Sequence, residues 1–222
     1  MKLALSNYDL IMNPSDGIVE LVVENRGCLL KLLTMIDAQI KGEEGSIILS
    51  KSNDVIPLSK NAELIDSFIS FDINRKNLVN KLHGRMSENA VDEFNYENTM
   101  RIISQLEAYL FDITDNLGGS IRFPHVSVDS IIKASGACFD VNYESIVEEL
   151  SDYMELVREY DKDKLFILYN LRSIVDDADI NLFNETARRK GYEIILIESV
   201  ERTKLNGINR FIIDNDLCLI IR

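Results

Sequence analysis

The sequence predicts an α/β domain that is discontinuous along the chain and interrupted by a helical insertion. Residues 165–169 (LFILY) and 192–197 (YEIILI) are unbroken apolar runs of strand length, the pattern of strands buried on two faces, and a helical stretch separates them. A similar run at 18–23 (IVELVV) leads through a short loop into another helix near the N-terminus. Between residues 88 and 160 the apolar residues fall mostly at helical spacing instead. The α/β pattern therefore occupies both ends of the chain.

The segment 164–199 is the clearest unit. Its helix opens with Asp176, Asp177 and Asp179, acidic residues suited to capping, and turns Ile180, Phe183 and Ala187 inward. It closes with Arg188, Arg189, Lys190 and Gly191, which suit the negative helix end and a left-handed cap. Strand, helix, strand makes a βαβ unit, for which a right-handed crossover is expected.

Size and charge limit the functional classes. A chain of 222 residues with 46% apolar residues can bury a full core. Its formal charge of −13 argues against indiscriminate binding of nucleic acid or anionic membrane by the whole surface, although a local basic surface remains compatible. Cys28, Cys138 and Cys218 are odd in number, far apart and without metal-ligand spacing, as expected of buried thiols in a reducing compartment. Asn7, Tyr8 and Asp9 interrupt the first apolar residues before a signal-peptide core forms, and no run approaches the roughly 20 apolar residues of a membrane span. A cytoplasmic location with no membrane partner is expected.

In chain order, residues 1–12 suggest an opening strand and 13–17 (NPSDG) a turn. After the strand at 18–23, the loop ENRG enters a helix with Leu29, Leu30, Leu32, Leu33 and Ile36 on its apolar side. A phosphate-cradling loop in that position needs glycines ending in Gly-Lys-Ser/Thr, and ENRG has neither the lysine nor the hydroxyl. Residues 46–49 and 55–58 read as a small antiparallel addition, whereas the apolar stretch 61–71 fits no single state. Asp72 then caps a helix that bears Arg75, Lys76 and Lys81, with Arg85 following. Residues 73–85 carry these four cations and no anion, either a basic island or a solvated helix face.

A long helix follows, with Ile103, Leu106, Leu110, Ile113 and Leu117 as a narrow seam and Gly118 and Gly119 as its stop. A short helix covers 129–134, and a further long one carries Ile146, Leu150, Tyr153 and Val157. These read as antiparallel helices packed on each other. The chain closes with strands at 211–213 and 217–221 around an Asp214-Asn215-Asp216 turn.

Little in the sequence suggests catalysis. His83 and His125 are the only histidines, so no histidine-rich metal site or cysteine–histidine pair can be assembled. Asp176, Asp177 and Asp179 can ligate a hard cation, but capping explains them more simply. Asp214 and Asp216 lack the spacing of an EF-hand loop. The strand at 165–169 ends in Asn170, where an NTPase places a metal-holding acid.

Five blocks together carry a family resemblance: FDINRKNLVNKLH at 71–83, SIIKASG at 130–136, KLFILYN at 164–170, GYEIILIE at 191–198 and IIDNDLCLII at 212–221. In their order and spacing the chain resembles the small ring-forming adaptation protein of type II-A CRISPR systems. The resemblance implies a P-loop-NTPase-like α/β head without Walker motifs, formed by 1–87 and 161–222, and a helical leg at 88–160. It further implies a homotetrameric ring that threads onto double-stranded DNA ends, slides along them without catalysis or nucleotide, and acts with the adaptation integrase proteins and the effector nuclease in spacer acquisition. Such a ring can be acidic overall and still have a basic channel.

Under that reading Arg75, Lys76, Lys81 and Arg85, with Arg122 and Lys133 from the leg, are the candidate phosphate contacts. Calcium is a possible cofactor, because similar proteins bind it through acidic residues just before the helix matched by 130–136. That segment here is GGSIRFPHVSV, without a carboxylate, so either the ligands come from elsewhere, for instance Asp112, Asp115 or Asp129, or the site is gone. The alternatives are a divergent nucleotide hydrolase on the same fold and a protein-binding scaffold without DNA affinity.

Overall fold

The structure, a computed structural model, describes residues 1–115 and 117–221. In chain order its elements are β1 Lys2–Leu5, β2 Leu10–Met12, β3 Val19–Val23, α1 Arg26–Ile40, β4 Ile47–Lys51, β5 Asp54–Ile56, α2 Leu58–Asn61, β6 Ala62–Ile65, α3 Lys76–Ala90, α4 Tyr96–Asp112, α5 Val128–Ser135, α6 Ile146–Tyr160, β7 Leu165–Tyr169, α7 Asp177–Lys190, β8 Glu193–Glu198, β9 Asn209–Ile213 and β10 Leu219–Ile221. The chain is a mixed α/β protein, as its sequence predicts.

A six-stranded sheet runs in the order β10-β9-β3-β8-β7-β6, parallel except for β10. The apolar runs are its central strands, with Leu21 opposite both Ile197 and Phe211. The unassigned stretch after residue 61 supplies β6, an edge strand parallel to β7. A second, antiparallel sheet has the order β2-β1-β4-β5, and Leu3 faces both Met12 and Leu49. Strand alternation sorts the side chains between two layers. Leu21, Ile167, Ile195 and Ile197 join Leu29, Leu32 and Ile36 of α1 and Leu3, Met12 and Leu49 of the small sheet in one core. On the other face α6 and α7 bury Leu150, Tyr153, Val157, Ile180, Phe183 and Ala187, and the Tyr153 ring meets Phe166 edge-on at 6.2 Å.

That second layer contains an ion network that the apolar pattern hides. Glu20, the second residue of β3, is fully buried; Arg172 Nη1 donates to its Oε1 at 2.5 Å and Arg210 Nε to its Oε2 at 2.6 Å. Both guanidinium groups also donate to Thr203 O, at 2.8 and 2.9 Å, and Arg172 Nη2 donates to Asp177 Oδ1 at 2.7 Å. The acidic start of α7 therefore works differently from the expected capping. Asp176 is the N-cap residue but its side chain makes no capping bond, while Asp177 serves the buried arginine. Gly191 closes α7 in the left-handed conformation, φ 70°, as expected.

The chain divides into two compact units, Met1–Phe71 with Tyr143–Arg222, and Asp72–Asn142. These limits differ from the sequence boundaries at 87/88 and 160/161. Helix α3 belongs with the second unit because it packs on α5, and α6 belongs with the first because it packs on α7. Tyr153 of α6 also donates to Glu63 Oε1 of β6 at 2.5 Å.

Helix α4 is shorter than its seam suggested. Thr114 Oγ1 donates to Phe111 O at 2.7 Å and ends the helix before the glycines, leaving Ile113 51% and Leu117 59% exposed. The cysteines depart from expectation too: Cys28 is half-buried, and Cys138 and Cys218 are exposed because they lie in connecting loops. Among the described residues no helix is long and apolar enough to cross a membrane.

Candidate nucleic-acid interface

All six candidate phosphate contacts lie in the second unit: Arg75, Lys76, Lys81 and Arg85 on α3 or its first flank, Lys133 on α5, and Arg122 in the irregular segment before α5. Asp72 is not the helix cap. Its Oδ1 accepts from Asn74 N at 2.8 Å in a turn ahead of the helix, and Arg75 is the N-cap residue. The reason is local competition, since a short acidic side chain satisfies the amide two residues on more readily than a more distant one.

Four hydrogen bonds fix α3 and the residues just before it against the segment around α5. The Asn74 carboxamide clamps Phe139, donating from Nδ2 to its carbonyl at 3.0 Å and accepting from its amide at 2.8 Å. A ring nitrogen of His83 lies 2.8 Å from Ala137 O, and Ser87 Oγ donates to Asp129 Oδ1 at 2.5 Å. His125 Nδ1 lies 2.8 Å from Glu107 Oε1, which also accepts from Val126 N. Leu78 of α3 and Ile132 of α5 are buried. Ser127 caps α5 by accepting from Ser130 N at 3.1 Å, and Gly136 ends it with φ 68°.

This frame divides the cations. At about 100° per residue, Lys81 and Arg85 lie about 40° apart on α3, while Lys76 lies about 140° from Lys81. The basic stretch at 73–85 is therefore no single stripe. Lys81 is half-buried and Arg85 exposed, flanking the buried Leu78 side, and Lys76 and Lys133 are exposed.

Asp129 Oδ1 is engaged by Ser87, Asp112 ends α4, and among the described residues no group of three or more His, Cys, Asp or Glu side chains is placed to hold a metal ion.

At the C-terminal ends of the parallel strands, where α/β proteins place their ligands, the loop after β3 is short. Asn25 caps α1 by accepting from Cys28 N at 3.0 Å, so one first-turn amide is satisfied by the chain itself. Asn170 follows β7 in the left-handed conformation, φ 62°, and its Oδ1 accepts from Ser199 Oγ at 3.1 Å.

The family model described as CRISPR-associated protein (Cas_Csn2) matches residues 39–217, a span that includes parts of both units. No curated protein matches the chain. Among solved structures the chain is similar to Stu0660 of Streptococcus thermophilus, with a TM-score of 0.55, 12% identity, and coverage of 96% of this chain and 75% of that one. At that identity the likeness is one of fold. A family match over most of the sequence, on a fold shared with Stu0660, places this chain in the CRISPR-associated Cas_Csn2 family.

Proposed function

We propose that the protein is a non-enzymatic, double-stranded DNA end-binding component of CRISPR spacer acquisition. In this reading it acts in the cytoplasm as a homotetrameric ring, alongside the adaptation integrase proteins and the effector nuclease. The observation that carries it is the gathering of all six candidate cations in one unit of a chain whose net charge is −13. Lys81 and Arg85 are adjacent on α3, where they can contact neighbouring phosphates, and Lys76 and Lys133 would serve others. The reading involves no nucleotide, in keeping with the loop ENRG and with Asn170 at the end of β7. It assigns no role to calcium.

A second reading has an observation of its own. The same unit exposes Tyr109, Phe111, Ile113, Leu117 and Ile121, each more than 40% accessible, as surfaces that meet other proteins do. In the ring these residues would meet other subunits, whereas in a pure scaffold they would meet another protein and the chain would have no DNA affinity.

A gel-shift comparison of linear and covalently closed circular duplex of one sequence, at two salt concentrations and with light scattering, tests both. Binding of a tetramer to linear DNA alone is expected. Equal binding to the circle would overturn threading, and binding to neither would leave the scaffold.

A further inference from the structure

The first unit contains a cavity of about 250 Å³ between the turn after β1, the first turns of α1 and the start of β4. Its apolar wall is Leu5, Leu32, Met35, Ile47 and Leu217. Its polar side brings the Tyr8 hydroxyl and the Cys28 thiol within 2.9 Å of each other, next to the Asn25 carboxamide that caps α1. Lys31, one turn further along α1, stands at the edge and has no acidic partner among the described residues.

The charge of this lining is unusual for the protein. None of the thirteen described residues around the cavity is Asp or Glu, although 37 of the 222 residues are acidic, and Lys31 is its one ionised side chain at neutral pH. The hydrogen bond to Cys28, together with burial, pushes the Tyr8 hydroxyl up to about 12, so it keeps its proton under ordinary conditions. A cavity with an apolar wall, one cation at its edge and no carboxylate in its lining suits a small anion with an apolar body. The volume holds about eight water-sized groups at about 30 Å³ each, below the range of drug-sized ligands.

We propose that this cavity binds a small aliphatic carboxylate of about six to eight carbons, with its carboxylate at Lys31 and its body between Leu32, Met35 and Ile47. The site is separate from the candidate cations of the second unit, and the proposal is independent of DNA binding.

Isothermal titration of the full chain with butanoate, hexanoate, octanoate and dodecanoate tests it, with hexylammonium as the control of opposite charge. Affinity is expected to rise about fourfold per added methylene up to octanoate and then level off as the cavity fills. Lys31→Gln, at an exposed position, is expected to weaken hexanoate about three- to fivefold, the scale of an exposed ion pair. Saturating hexanoate should also slow alkylation of Cys28 by iodoacetamide while Cys138 and Cys218 react at unchanged rates. The proposal is overturned if no carboxylate binds saturably, if hexylammonium binds as tightly as hexanoate, if affinity keeps rising through dodecanoate, or if bound hexanoate leaves Cys28 alkylation unchanged.

Discussion

Gln39 takes the place of a strand residue beside Ile47: its Oε1 accepts from Ile47 N at 3.0 Å and its Nε2 donates to Ile47 O at 2.9 Å. Strand β5 ends at Ile56 and is followed by Pro57, which has no N–H to offer, so the β4 ladder would otherwise stop two residues short. The side-chain amide of α1 supplies both missing bonds. Gly45 makes room for it, since a Cβ there would collide with the Gln39 side chain.

Gln39→Ala should therefore cost about 1–3 kcal/mol, the scale of leaving partly buried backbone groups unpaired. Gly45→Ala should reproduce part of that loss by pushing the amide away. Urea unfolding of the two variants and of their combination measures this. Full additivity in the double variant would contradict a shared cause.

The Glu20 network makes a stronger demand. Replacing Glu20 with Ala removes the carboxylate shared by Arg172 and Arg210, whose side chains are 0% and 1% exposed, and leaves Arg172 with Asp177 and Arg210 with Glu201 as acidic partners. A loss of about 3–5 kcal/mol is expected. Thermal unfolding measures it, and a loss below 1 kcal/mol would mean that water or rearrangement relieves the charges.

Glu198, at the end of β8, is buried and its Oε2 has no hydrogen-bond partner among the described residues, while its Oε1 accepts from Arg172 N at 3.0 Å. Burial raises its carboxyl from 4.5 to about 7, opposed by the amide of Arg172 and reinforced by the Glu20 charge. Between those two values the folded protein holds a proton that the unfolded chain has released. The contribution of Glu198 to stability is thus fully present below about 4.5 and is lost as pH rises through about 7. Glu198→Gln should be more stable than the parent at pH 8 by roughly 1–3 kcal/mol, with the advantage shrinking toward pH 5. Parallel stability curves for the two proteins from pH 5 to 8 would refute this.

Phosphate contacts by α3 should appear in salt dependence. Each phosphate neutralised contributes about 0.9 to the log–log slope, so Lys81→Glu with Arg85→Glu should lower the slope by about 1.8 and weaken duplex binding equally for all sequences. Charge reversal of Lys76 with Lys81 should likewise weaken binding uniformly. Fluorescence anisotropy across a salt series measures both. An unchanged slope would move the contact surface off α3.

Much of the fold could be read from the chain. Unbroken apolar runs at 18–23, 165–169 and 192–197 identify β3, β7 and β8 because central parallel strands meet apolar layers on both faces. Gly136 and Gly191 mark the ends of α5 and α7, since a left-handed cap favours a residue without a Cβ. The stretch at 61–71 shows no clear period, because its four-residue edge strand is too short to define one.

The sequence by itself determined the central strands, the glycine ends of α5 and α7, the gathering of four cations at 73–85 and a loop after β3 without phosphate-cradling residues. These are local properties of backbone conformation and residue type. Only the tertiary structure decided that α6 packs with α7 and β6 in the first unit and that Glu20 joins Arg172 and Arg210 across more than 150 residues. Packing partners and buried charge pairs are set by which faces meet, and residues far apart in the chain contribute to each face.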